Sequence, residues 1–140
     1  MSDSGGREAG QDLDMLIAGA VMGWTDVHPQ HGDRDGSRWF VPTGIAPKEY
    51  RREVIPPYST NIAAAFAMME AEMARPGMRV FIQAEGGMGY SVDWQLRGDE
   101  GWMTIAEVYA STLPLGLCLA VLEGREAMQE MAASREGAPE

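Results

Sequence analysis

Apolar residues recur along the first part of the chain as Leu13, Leu16, Ile17, Ala20, Val21 and Trp24. That i, i+3, i+4 spacing predicts an amphipathic helix starting at Gln11 or Asp12. Asp12 and Asp14 suit its positive end, and Gly23 ends it. A second helix is predicted over residues 60–75, with Ile62, Ala65, Phe66, Met69 and Met73 as its buried stripe and Glu70, Glu72 and Arg75 left to solvent. Pro56 and Pro57 stiffen its approach, Ser59 or Thr60 caps it, and Pro76-Gly77 stops it. The last helix is expected from about Thr112, with Pro114 in its first turn. Leu115, Leu117, Cys118, Leu119, Val121 and Leu122 make its first half apolar on most sides, and it turns polar after Glu123.

Between these helices the period changes to two. Met78, Val80, Ile82 and Ala84 alternate with Arg79, Phe81, Gln83 and Glu85, and Tyr90, Val92, Trp94 and Leu96 alternate with Ser91, Asp93, Gln95 and Arg97. A hairpin turning through Gly87-Met88-Gly89 places Ile82 opposite Trp94 and Val80 opposite Leu96. The turn from Gly98 to Gly101 then sets Met103 opposite Leu96 and Ile105 opposite Trp94, on one buried face. The other face mixes Asp93, Gln95, Arg97 and Thr104 with Phe81 and Trp102, a composition that fits partial cover or an interface. Residues 25–58 read as a long connection rich in Gly, Pro and charge, with Arg38-Trp39-Phe40-Val41 as a short edge strand.

The fold class is therefore α/β (α+β). It reads as a three-layer α/β/α sandwich around a small antiparallel meander, ordered α, short edge strand, α, β, β, β, α. One domain is expected over residues 12–133, between a disordered N-terminus (residues 1–11) and a disordered tail (residues 134–140).

Charge narrows the function. Twenty-one acidic against 11 basic residues give a net charge of −10, which repels a phosphate backbone, so no nucleic-acid partner is expected. The single cysteine, Cys118, lies in an apolar run and reads as a small core residue. No apolar run is long enough to span a membrane and the polar N-terminus does not resemble a signal peptide, so the chain is expected in the cytoplasm, with no membrane partner. His28 and His31 have only Asp26, Asp33 and Asp35 as acidic neighbours in sequence, without the firm ligand spacing of a metal site. No metal and no cofactor is expected.

The segments Asp14-Met15-Leu16-Ile17-Ala18, Val21-Met22-Gly23-Trp24, Pro57-Tyr58-Ser59-Thr60-Asn61-Ile62-Ala63-Ala64-Ala65 and Leu113-Pro114-Leu115-Gly116-Leu117-Cys118 resemble, in order and spacing, the phage ABA sandwich domain proteins. These are small phage and prophage proteins, named for a helix, sheet, helix layering, and they often have no assigned activity. The resemblance covers most of residues 12–125. It implies a layered fold and a setting in a bacterial host cell rather than a reaction. The chain departs from that pattern in the longer, Gly- and Pro-rich stretch between residues 25 and 56.

Three functions compete. For an enzyme, Glu85, Asp93 and Glu107 are acid–base candidates, yet no catalytic motif accompanies them, and no catalytic residue is assigned. For a small-ligand binder, Trp24, Trp39 and Tyr58 could stack on a nucleotide-like anion held by Ser59, Thr60 and Asn61 at a helix start. The competing reading makes those residues the closure and cap of a packed helix. For an interaction protein, 11 methionines, Trp102 and the charge asymmetry point to a homo-oligomer or a host or phage protein as partner. The sequence favours binding over catalysis, through protein–protein contact before small-ligand capture.

Overall fold

A computed structural model describes the backbone of residues 8–34, 37–49 and 51–137, and within these the side chains of all but residues 32–40 and 135–137. The described elements run α1 (Gln11–Ala20), β1 (Thr25–Arg34), β2 (Ser37–Ile45), β3 (Arg52–Val54), α2 (Ile62–Met73), β4 (Met78–Ala84), β5 (Tyr90–Gly98), β6 (Gly101–Ala110) and α3 (Leu113–Gly137). The protein is thus a mixed α+β fold of three helices and two three-stranded antiparallel sheets among the described residues.

The first sheet, ordered β1-β2-β3, corrects the expectation of a long connection holding one short edge strand. Its strands hide their period because β1 carries Pro29 and a bulge. Thr25 pairs with Ile45 and His28 with Thr43, so one extra residue sits in β1 where Asp26 adopts φ 50°. Pro29 and Pro42 stand directly opposite each other. Pro42 turns its carbonyl toward the β3 side, where it accepts from Ile55 N at 2.9 Å. Its pairing with Pro29 is therefore of the non-hydrogen-bonded kind, and the β1–β2 ladder uses neither missing N–H. Arg52 of β3 fastens the bulge: it donates to Asp26 O (2.8 Å) and Thr43 Oγ1 (3.1 Å) and pairs with the Asp26 carboxylate. Trp39 lies within β2, but its side chain falls outside the described residues.

The second sheet, ordered β4-β5-β6, keeps the expected meander and corrects its register. Val80 pairs with Trp94 and Ile82 with Val92, two residues from the expected partners. The loop is longer than Gly87-Met88-Gly89: Glu85 N donates to Gly89 O (2.9 Å), and Gly89 takes φ 101° close against the Ala110 carbonyl. Because the slip is even, every side chain keeps its face. Met103 does oppose Leu96, but a bulge at Ile105 sets Ala106 opposite Trp94. Val92, Trp94, Ala106, Val108 and Ala110 form the buried face. Helix α3 lies on it so closely that a Cβ at Gly124 would stand 3.2 Å from the Trp94 ring.

Helix α1 packs on β1 and β2 and also on α3, and so joins the two sheets. Helix α3 is apolar on most sides in its first half, as expected, because it meets α1, α2, β5 and β6. It continues past residue 134 to Gly137. Helix α2 is shorter than expected, and its buried stripe is rotated. Ala65, Met68, Met69 and Glu72 are buried, while Ile62 and Phe66 stay 43% and 41% exposed. The rotation carries Glu72 inward, where it pairs with Arg75 and with Arg125 of α3. Arg125 also donates to the Ala20 and Val21 carbonyls at 3.3 Å, closing the C-terminus of α1 with positive charge. One guanidinium thus ties all three helices together.

Candidate functional site

Asn61, not Ser59 or Thr60, caps α2: its Oδ1 accepts from Ala64 N at 3.0 Å. The preceding prolines place Ser59 two residues too early, and it is drawn instead into the interior. Its N–H and its hydroxyl both donate to Asp14 Oδ1, at 2.8 and 2.7 Å, and its oxygen accepts from Gly10 N at 2.8 Å. Those bonds pin the N-terminus of α1 to the start of α2.

The expected aromatic group is partly assembled around this latch. Tyr58 is buried and accepts a hydrogen bond from the Trp24 indole. Burial raises its phenol above the ordinary value, against that hydrogen bond, and the Asp14 and Cys118 charges add to the rise. Cys118, beneath it, is pushed up to about 12, first by burial and then by Asp14. Its thiol is a core group with no nucleophilic character near neutral pH. Thr60 is exposed. The structure brings together Trp24, Tyr58 and Ser59, commits Asn61 to its cap, and leaves Trp39 outside the described side chains.

A different surface stands out. The face of β4–β6 turned away from α3 holds Phe81, Trp102 and Tyr109 at 50%, 39% and 47% exposure. Alternation and register set its rows across the sheet: Arg97 and Trp102; then Arg79, Gln95 and Thr104; then Phe81, Asp93 and Glu107; then Gln83, Ser91 and Tyr109. Arg79 stacks over Trp102 and Phe81, at 4.0 and 4.7 Å from their ring centres. Its Nε donates to Gln95 Oε1 (2.7 Å), and Gln95 passes a second bond to Thr104 Oγ1 (3.1 Å).

The neighbouring rows are acidic. Asp93 and Glu107 are directly opposed on β5 and β6. Asp93 Oδ1 is shut off from solvent with no hydrogen-bond partner among the described residues. Desolvation raises the Asp93 carboxyl above the ordinary carboxylate range, and the Glu107 charge adds to it. Tyr109 donates to Glu107 Oε1 at 3.0 Å, which holds its own phenol above the usual range. Chemically the face offers exposed aromatic area, a cation stacked on two rings, and a carboxylate pair in which Asp93 Oδ1 has no donor among the described residues.

The sequence named Phe81, Trp102 and Asp93 as members of a mixed face but did not make that face the site. No sequence signal marked it: the expected register sets Ala106 opposite Asp93, and only the bulge at Ile105 brings the two carboxylates face to face. Among the described residues no group of His, Cys, Asp or Glu could hold a metal ion, and no helix is long and apolar enough to cross a membrane. Comparison with protein families, curated proteins and solved structures finds no match.

Proposed function

We propose that this chain is a binding module that engages another protein through the outer face of β4–β6. One observation carries the reading: exposed Phe81, Trp102 and Tyr109 share a face with a stacked arginine and an opposed carboxylate pair in which Asp93 Oδ1 lacks a donor among the described residues. Aromatic residues and arginine are the side chains that interface centres favour, and a desolvated carboxylate oxygen gains most from a donor on a partner. Small-molecule sites are concave, which favours a macromolecule for this face over a nucleotide-like ligand.

The resemblance to phage ABA sandwich proteins belongs to this proposal, and with it an accessory role in the cytoplasm of a bacterial host cell. It rests on the quoted segments of residues 14–18, 21–24, 57–65 and 113–118. The three-layer α/β/α description is part of the proposal too. Layers on both faces of β4–β6 require something over Phe81 and Trp102, and a bound partner would supply it.

The test compares immobilised wild-type protein with a Phe81→Lys, Trp102→Lys double variant in capture from a bacterial host lysate. A defined protein held by the first and lost from the second, with both chains folded by circular dichroism, supports the reading. Equal capture by both assigns binding to another surface.

A further inference from the structure

The outer face of β4–β6 has a property that a foreign partner does not require: its charge is polarised along the strands. Within the face, Arg97 and Arg79 occupy the first two rows and Asp93 and Glu107 the third; Glu85 follows the end of β4, and Asp99 and Glu100 lie in the turn between β5 and β6. Trp102 lies in the first row and Tyr109 in the fourth. The arginine rows and the carboxylate row therefore lie on either side of a midpoint between the second and third rows, one aromatic side chain at each end. Self-complementarity about a midpoint is what an isologous interface needs.

We propose that this face is a two-fold interface with a second copy of the chain, the two sheets stacked with strands antiparallel so that Arg79 of each copy reaches Asp93 of the other. The inference rests on the binding reading above and adds the partner.

Symmetry and charge select the arrangement. A two-fold axis lying between the sheets and parallel to the strands would set like rows over like, arginine on arginine and carboxylate on carboxylate. An axis perpendicular to the strands reverses the rows instead. With that axis at the midpoint, Arg79 lies over Phe81 of the other copy and one strand, about 4.8 Å, from its Asp93. Trp102 then lies over Tyr109 of the other copy. Arg79 suits the task because Nε is its only guanidinium nitrogen with a hydrogen-bond partner among the described residues, and the two rings hold it in place. The net charge of −10 opposes association of any two copies at long range, so a productive encounter depends on this local match.

Size sets the strength. Three strands and four rows give a footprint of about 15 by 25 Å, smaller than the roughly 800 Å² per partner of a standard interface. The dimer is accordingly weak and forms in concentrated protein.

Sedimentation equilibrium up to about 1 mM protein reads this directly. The wild type should pass from 15.2 kDa toward twice that mass as concentration rises. Arg79→Glu and Asp93→Lys should each weaken association at least about tenfold, through facing like charges. Mixed in equal amounts, the two variants should associate again, because the heterodimer restores both contacts. Asp93→Asn replaces Asp93→Lys if the latter fails to fold; it should weaken the dimer by removing the carboxylate that Arg79 reaches, and an unchanged association would likewise overturn the inference. A wild type that stays at 15.2 kDa throughout, variants that dimerise as well as the wild type, or a mixture that stays monomeric each overturn the inference. A monomeric wild type that still loses a captured host protein on Phe81→Lys, Trp102→Lys keeps the binding reading and removes only the second copy. A monomer that captures nothing removes both.

Discussion

Asp14 and Glu72 lie within the helical side of the molecule, and Asp93 and Glu107 lie on the outer face of the second sheet. Both regions hold carboxylate oxygens shut off from water, Asp93 Oδ1 on the outer face, and they treat them in opposite ways. Asp14 Oδ1 receives two donors from Ser59, and Glu72 receives the guanidinium groups of Arg75 and Arg125. Asp93 faces another carboxylate instead, and the arginine one row away is turned to Gln95 and two aromatic rings. A carboxylate with its partners supplied in the chain belongs to the architecture. One that lacks them marks a place where the fold has departed from local optimum, and such departures concentrate at functional sites.

Breaking the helical side should give the largest effect. Glu72→Ala leaves Arg125 beneath three helices without its carboxylate. We expect a loss of about 2–3 kcal/mol, below the full value for a buried pair because Arg125 and Arg75 keep 29% and 45% of their side-chain surface. Denaturant unfolding measures it. Cys118, its thiol held at about 12 and buried, serves as a second probe. Alkylation should be slow in the wild type and faster in Glu72→Ala, since it waits on opening of the core. No change in either readout would remove Glu72 from the architecture.

The Asp14 latch comes next. Asp14→Ala leaves the buried Ser59 N–H without its acceptor and the hydroxyl with only the Gly10 carbonyl at 3.2 Å, at a cost of about 1–2 kcal/mol. Ser59→Ala should cost about 1 kcal/mol, since Asp14 keeps the bond from Ser59 N. A double-mutant cycle should show coupling of at least about 0.5 kcal/mol. Additive losses would mean that the two residues act separately.

The same contrast explains what was legible in the sequence. Both sheets are antiparallel meanders, yet only the second announced itself. Its alternation from Met78 to Arg97 is clean, and an error of two residues in register moved no side chain to the wrong face. The first sheet was hidden because Pro29, Pro42 and the bulge at Asp26 interrupt its period, and only the three-dimensional pairing of the two prolines makes them compatible. Helix α2 was visible from its alanines, but its rotation depends on Arg125, 53 residues from Glu72. The apolar positions at 65, 68 and 69 would have carried Glu72 inward at the next turn, had a charged residue been admitted to the stripe. At Ser59 the residue type suggested a cap, and two prolines decided otherwise. The outer face was legible residue by residue; its row order required the register.

The smallest effect tests the other half of the comparison, and its sign matters more than its size. The folded chain raises the Asp93 carboxyl above its ordinary 3.8, chiefly through desolvation and then through Glu107. A carboxyl raised on folding binds its proton more tightly in the folded state. Its contribution therefore favours folding at low pH and is lost as pH climbs from the ordinary carboxylate range through the raised value. Asp93→Asn should remove that loss and stabilise the monomer at neutral pH, by no more than about 0.5 kcal/mol because solvent reaches most of the group. Thermal unfolding of dilute protein between about pH 3 and pH 7 should show the variant gaining on the wild type as pH rises. If Arg79 of a second copy reaches Asp93, the order reverses in concentrated protein, because a facing cation favours the charged carboxyl and the asparagine forfeits that contact. A gain at low concentration that becomes a loss at high concentration would place the missing partner of Asp93 on another chain. A gain at every concentration would leave Asp93 a strained residue of the monomer alone.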